Sequence, residues 1–174
     1  SRVLMEHMVR TFGEVDQLLL ELAEEIVDAG GLERVDPART HALLVRRKAR
    51  LPQAVAVGTV FPDGNFHAVS LAHPPPPTRF EESEPFVQLE KEASRGPAFG
   101  KTQRGPASGQ WIFPVARRIT LDNVRFGGIV GATLSTRYFE QFYQELGLAE
   151  AQSIAVVHAD GRILFRYPFE EKIA

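Results

Sequence analysis

Between Leu4 and Ile26 apolar residues return every three or four positions: Leu4, Met8, Phe12, Val15, Leu19, Leu22 and Ile26. Glu14, Asp16, Glu21, Glu24 and Glu25 lie between them. This period predicts one long amphipathic helix. It should break at Gly30-Gly31, since glycine readily takes the left-handed backbone that stops a helix. At 1.5 Å per residue such a rod runs roughly 35 Å or more. Only part of it can lie across a small domain. Part of the stripe is therefore expected on the chain's own core, and part, toward a projecting end, in a seam with a second copy.

The rest of the chain must supply the surface on which the rod packs. Asp36-Pro37 predicts a second helix, with Asp as the cap and Pro at the first helical position, ending near Arg50 before Pro52. Its last turns hold Arg46, Arg47, Lys48 and Arg50, read as a solvated helix end that suits the dipole. The period then shortens to two. Ala54–Phe61 is a strand, 62–65 a turn and Phe66–Leu71 the return strand. Pro74 to Pro77 make a stiff connector that cannot join a sheet. From Glu82 to Gly105 the pattern is irregular, with a short helix. A second hairpin follows, Gly109–Leu121 and Val124–Leu134 around Asp122-Asn123. Gly127, Gly128 and Gly131 in its second strand imply another backbone or a helix close by. Thr136–Leu146 reads as a helix, and Ser153–His158 with Arg162–Tyr167 as a third hairpin. Consecutive hairpins build an antiparallel sheet with helices mainly on one face, an α+β domain.

Composition removes several function classes. Among 174 residues, 20 are basic and 22 acidic, so there is no positive excess for nucleic acid. The chain has no cysteine, which excludes zinc–thiolate sites, iron–sulfur clusters and thiol catalysis. No apolar run approaches the roughly 18 residues needed to span a bilayer.

The motifs that could carry chemistry fail on their surroundings. Residues 95–102 end like a phosphate-binding loop, but Arg95 stands where glycine is required. Gln103-Arg104-Gly105-Pro106 follows, which cannot open a long helix. Gly127-Gly128-Ile129-Val130-Gly131 has the wrong spacing for a dinucleotide fingerprint. The histidines at 7, 41, 67, 73 and 158 show no metal-ligand spacing, although His67 and His73 flank one strand and could approach a pocket. Ser108 is not in a nucleophile elbow. Glu82 and Glu84 are ordinary loop acids, so no enzymatic activity is expected. In Trp111-Ile112-Phe113-Pro114-Val115-Ala116-Arg117-Arg118, strand alternation sends the two arginines to opposite faces. If the Trp111 face looks inward, Phe113, Val115 and Arg117 share it. Arg117 then needs an anionic partner, either a protein carboxylate or that of a bound metabolite.

The stretch Gly105–Ile119, with Gln110-Trp111-Ile112-Phe113-Pro114-Val115-Ala116-Arg117-Arg118-Ile119, strongly resembles a strand of double-Cache sensors, or PDC domains. These are the extracytoplasmic, PAS-like parts of bacterial diguanylate cyclases, histidine kinases and chemoreceptors. Val124–Ala132 resembles the family's next strand, Tyr138-Phe139-Glu140-Gln141-Phe142-Tyr143 its following helix, and Ser153–Pro168 a later hairpin. The four segments keep the family's order and spacing.

The resemblance implies a signalling and dimerisation helix over 1–30, a membrane-distal sensor lobe over 31–147, and a truncated or reduced membrane-proximal lobe over 148–174. The parent protein would be anchored in the inner membrane with this part in the periplasm, working as a homodimer through the first helix. A ligand pocket would lie between the sheet and residues 74–105. The pattern departs at Glu82-Ser83-Glu84-Pro85-Phe86, which lacks the family's Arg and Tyr, and at Ser135, where amino-acid binders carry Asp. Amino-acid binding is therefore not carried over. Trp111, Arg117 and Ser135, with Phe86, Phe113 and His67, are the candidate pocket residues. The expected ligand is a small organic acid or amine, or none, with no cofactor. The alternative reading is a cytosolic PAS-like module holding heme or flavin.

Overall fold

The computed structural model describes residues 2–93, 96–105, 107–147, 154–157, 161 and 163–167. Its opening helix, α1, spans Arg2–Asp28. Gly30 and Gly31 then take φ of 96° and 112°, which stops the rod where the sequence indicates. Val15, Leu18, Leu19, Leu22 and Ile26 of its stripe are buried in the main core, each leucine worth roughly 2 kcal/mol of burial. Toward the other end the stripe thins. Leu4, Met8 and Phe12 are only partly buried, and Met5 and Val9 are each 66% exposed.

Helix α2 (Pro37–Lys48) begins as expected, with the Asp36 carboxylate accepting from the Arg39 amide at 3.0 Å. It ends two residues before Arg50. Arg47 in its last turn pairs with Glu25 of α1, so the basic cluster is in part a helix-to-helix tie. The remaining elements are β1 (Ala54–Val60), β2 (Phe66–Val69), α3 (Glu84–Lys91), β3 (Ala98–Phe99), β4 (Gln103–Arg104), β5 (Trp111–Leu121), β6 (Arg125–Ser135), α4 (Thr136–Glu145), β7 (Ile154–Val157) and β8 (Ile163–Tyr167).

Six strands form one antiparallel sheet in the order β2-β1-β6-β5-β3, with β4 also pairing with β5. The fold is α+β, a long helix with an antiparallel sheet, as the sequence indicates. One detail differs: the segment 98–104 contributes two short edge strands. The third hairpin makes a two-stranded sheet of its own. Ala159 and Asp160 of that hairpin's turn lie outside the described residues, as does Arg95 of the phosphate-loop resemblance. Lys101 and Thr102 open no helix; strand β4 follows them. The β5–β6 turn holds Asp122 and Asn123 at φ of 53° and 63°. That conformation matches the twist of a tight hairpin and suits these two residue types.

Both faces of the sheet are covered. Helices α1, α2 and α4 share one core with Val57, Phe113, Ile119, Val130 and Leu134. On the reverse face α3 packs Phe86 and Leu89 against Val60, Ala98, Ala116 and Ile129. Among the described residues, no helix is long and apolar enough to cross a membrane.

Candidate functional site

Strand alternation decides what each face can hold. Toward α1 the central strands present large residues, among them Val57, Phe113, Ile119, Val130 and Leu134. Toward the opposite side they present Ala56 and Gly58 of β1, Pro114 and Ala116 of β5, and Gly131 and Thr133 of β6. Small side chains leave a hollow there, roofed by the connector between β2 and β5. The result is a cavity with about 710 Å³ of unfilled space, counting the part open to solvent. Leu71, Phe80 and Pro85 form its outer walls, and Gly105, Ala107 and Ser108 close the end over Ile112. Phe66 meets Phe80 edge-to-face at 4.7 Å between ring centres, joining floor to roof. Polar side chains in the lining are those of Ser83, Gln103, Ser108 and Thr133.

The cavity lies between the sheet and the segment that follows the proline run, where the resemblance places a pocket. Among the described residues, the six candidates named from sequence are not in its lining. Trp111 stands beside the Arg104 guanidinium, 4.7 Å from its ring centre. Phe113 is fully buried between Phe12 and Phe139 on the α1 side. Phe86 is buried under α3, edge-to-face with Phe126 at 5.3 Å. Ser135 caps α4, its hydroxyl oxygen accepting from the Tyr138 amide at 3.1 Å.

Arg117 resolves the question of its partner. Its Nε and Nη2 donate to the two carboxylate oxygens of Asp16 at 2.6 and 2.9 Å, joining β5 to the middle of α1. Those hydrogen bonds hold the guanidinium pKa above its ordinary value. The fork-to-carboxylate geometry suits a half-buried pair. A double-mutant cycle with Asp16→Asn and Arg117→Gln, read by urea unfolding, should give a coupling of about 1 kcal/mol or somewhat more. Additive effects would mean that the clamp contributes nothing.

Arg118 points the other way. It donates to the Leu89 and Glu90 carbonyls at 2.6 and 2.8 Å, to the Val124 carbonyl at 3.0 Å and to Thr120 Oγ1 at 3.1 Å. It thereby caps the last carbonyls of α3 and fixes that helix on the cavity side of the sheet.

His67 is 2% exposed. Its Nε2 lies 2.9 Å from the Val35 carbonyl, which can only accept, so Nε2 carries the proton. Nδ1 then accepts from the Thr59 hydroxyl at 2.9 Å. Burial lowers the pKa, outweighing the Val35 hydrogen bond and the Asp36 charge, which raise it. The native state resists a proton that the unfolded chain takes up near pH 6.5. Stability should therefore fall as pH drops through that region and level off below the folded-state pKa. His7, lowered mainly by burial, adds to the same trend. Urea midpoints measured between about pH 7.5 and 5.5 should show this fall, with less of it in His67→Gln. An identical slope in that variant would clear His67 of the role.

Among the described residues, no group of three or more His, Cys, Asp or Glu side chains is placed to hold a metal ion.

No protein-family model matches this chain, and no curated protein matches it either. Solved structures do. The extracellular domain assigned to a histidine kinase, rpHK1S-Z16, superposes with a TM-score of 0.82 at 26% identity, covering 96% of this chain and 67% of that one. An extracellular ligand-binding receptor from Desulfohalobium retbaense gives 0.73 at 16% identity, covering 95% and 30%. The ligand-binding domain of the Pseudomonas fluorescens chemoreceptor CtaA, solved with L-isoleucine, gives 0.69 at 19%, covering 95% and 64%. This chain thus shares the fold of extracellular and ligand-binding receptor domains, and it spans two thirds or less of the length of these three.

Proposed function

We propose that this chain is the extracytoplasmic ligand-sensing part of a bacterial transmembrane signalling receptor, with no catalytic activity of its own. The observation that carries the reading is the cavity on the sheet face opposite α1, in a fold shared with extracellular receptor domains. A small molecule held there touches β5 and β6, the strands against which α1 packs from behind, and β1, which α2 covers. Occupancy can then bias the shape of the sheet, and with it the position of the rod tied to it, provided the ligand binds the alternatives unequally. The separate β7–β8 sheet supports treating 148–174 as a unit apart from the sensor lobe over 31–147. A heme or flavin module has less support, because the described lining offers no histidine to ligate iron.

Dimer formation through 1–30 belongs to this proposal. Its surface is the N-terminal end of α1, where Met5 and Val9 sit one turn apart and exposed. Sedimentation velocity should show self-association that Met5→Glu with Val9→Glu removes. A dimer unaffected by both changes would place the seam elsewhere.

Ligand sensing is tested by thermal shift against a library of organic acids, amino acids, amines and neutral metabolites. A specific ligand at about 100 times its Kd adds roughly 2.7 kcal/mol of stability, visible as a dose-dependent rise in Tm. A library that leaves Tm unmoved at every concentration would sink the sensor reading.

A further inference from the structure

We infer that the cavity takes an uncharged, predominantly apolar small molecule, one carrying a hydroxyl or carbonyl group but neither a carboxylate nor an ammonium. This rests on the sensor reading above and names the ligand class of the same site.

The lining carries the inference. Among the described residues, no Asp, Glu, Lys, Arg or His lines the cavity; its polar side chains are hydroxyls and one amide. The two arginines nearest in sequence to its floor are committed elsewhere. Arg117 faces away and is held by Asp16, while Arg118, on the cavity side, spends its donors on the carbonyls of α3 and on Val124 and Thr120. A buried charge without a partner is costly. An organic acid or an amine, the classes expected from sequence, would lose hydration there and gain no counter-charge. A neutral ligand would instead gain from the apolar walls, with Thr133 or Ser83 available to one polar group.

The test compares ligands that differ only in head group: hexan-1-ol, hexanoate and hexylamine, with L-isoleucine as the zwitterion. Each is titrated into the whole chain and followed by amide chemical shifts. Hexan-1-ol should perturb Gly131 and Thr133 and bind at least about tenfold more tightly than its charged counterparts. Gly131→Leu should abolish those shifts, because a side chain at 131 extends into the hollow while its Cβ meets only ordinary contacts, the nearest at 3.4 Å. Should that variant fail to fold, Ala56→Leu fills the space from β1. If hexanoate, hexylamine or isoleucine binds at Gly131 and Thr133 as tightly as the alcohol, the ligand class is wrong and the sensor site stands. If no probe perturbs these residues, or shifts arise only on the outer surface, the inference is overturned. The sensor reading then rests on its own library screen.

Discussion

Replacing Gly128 by valine is expected to cost about 4 kcal/mol or more, a large share of the roughly 5–15 kcal/mol that keeps a domain folded. Two independent effects combine. Gly128 has φ of 101°, a backbone conformation that a β-branched residue resists. A Cβ at this position would also fall inside contact distance of the Val60 carbonyl oxygen on the neighbouring strand. Backbone cannot move aside as a flexible side chain can, so β1 and β6 would have to part. Gly131→Ala is the matched control. It lies three residues along the same strand, and an added methyl there meets nothing closer than 3.4 Å. Thermal and urea unfolding of the pair should show a collapse in the first and a change of less than about 1 kcal/mol in the second. A Gly128→Val protein with the parental midpoint would mean that β1 and β6 are not this close.

Phe113→Ala should be nearly as damaging, at about 3–5 kcal/mol. The ring is fully buried, with centres 6.0 Å from Phe12 and 5.6 Å from Phe139, so it ties the rod and α4 to the sheet. Its removal leaves a void between three elements that cannot all close in. Because Phe113 faces away from the cavity, ligand affinity per folded molecule should be unchanged. Calorimetry at a temperature where the variant is still folded separates the two effects. Weaker binding with intact stability would return Phe113 to the pocket.

The elements were largely legible from period alone. The rod, both main hairpins and the α2 and α4 helices follow from repeats of 3.6 and 2, and α2 also from its Asp36-Pro37 start, whereas the capping role of Ser135 comes from the structure. Strands β3 and β4 were not, because a pair of residues carries no period. The cavity was harder for a different reason. When both faces of a sheet are buried, hydrophobic alternation no longer distinguishes them. Trp111, Phe113 and Arg117 drew attention by size and charge, and that face belongs to α1. The usable signal was the contrast in volume between faces, with alanine, glycine and threonine on one and valine, phenylalanine and leucine on the other. Small residues at alternate positions of three adjacent strands mark space, whereas large ones mark packing. Likewise, nothing local in the sequence pairs Arg117 with Asp16, which stands 101 positions earlier.

The rod is fastened at several heights. Asp16 is clamped by Arg117; Glu14 Oε2 and the Thr11 carbonyl accept from the buried Gln53 amide at 3.2 and 3.3 Å; Met8 Sδ accepts from the Tyr143 hydroxyl at 3.1 Å. Spinning the rod about its own axis would rupture all of these together. Sliding or tilting it along with the strands preserves them. Motions open to this molecule are therefore those of a single stiff plate and spar, and a guest that reshapes the plate must carry the spar bodily with it.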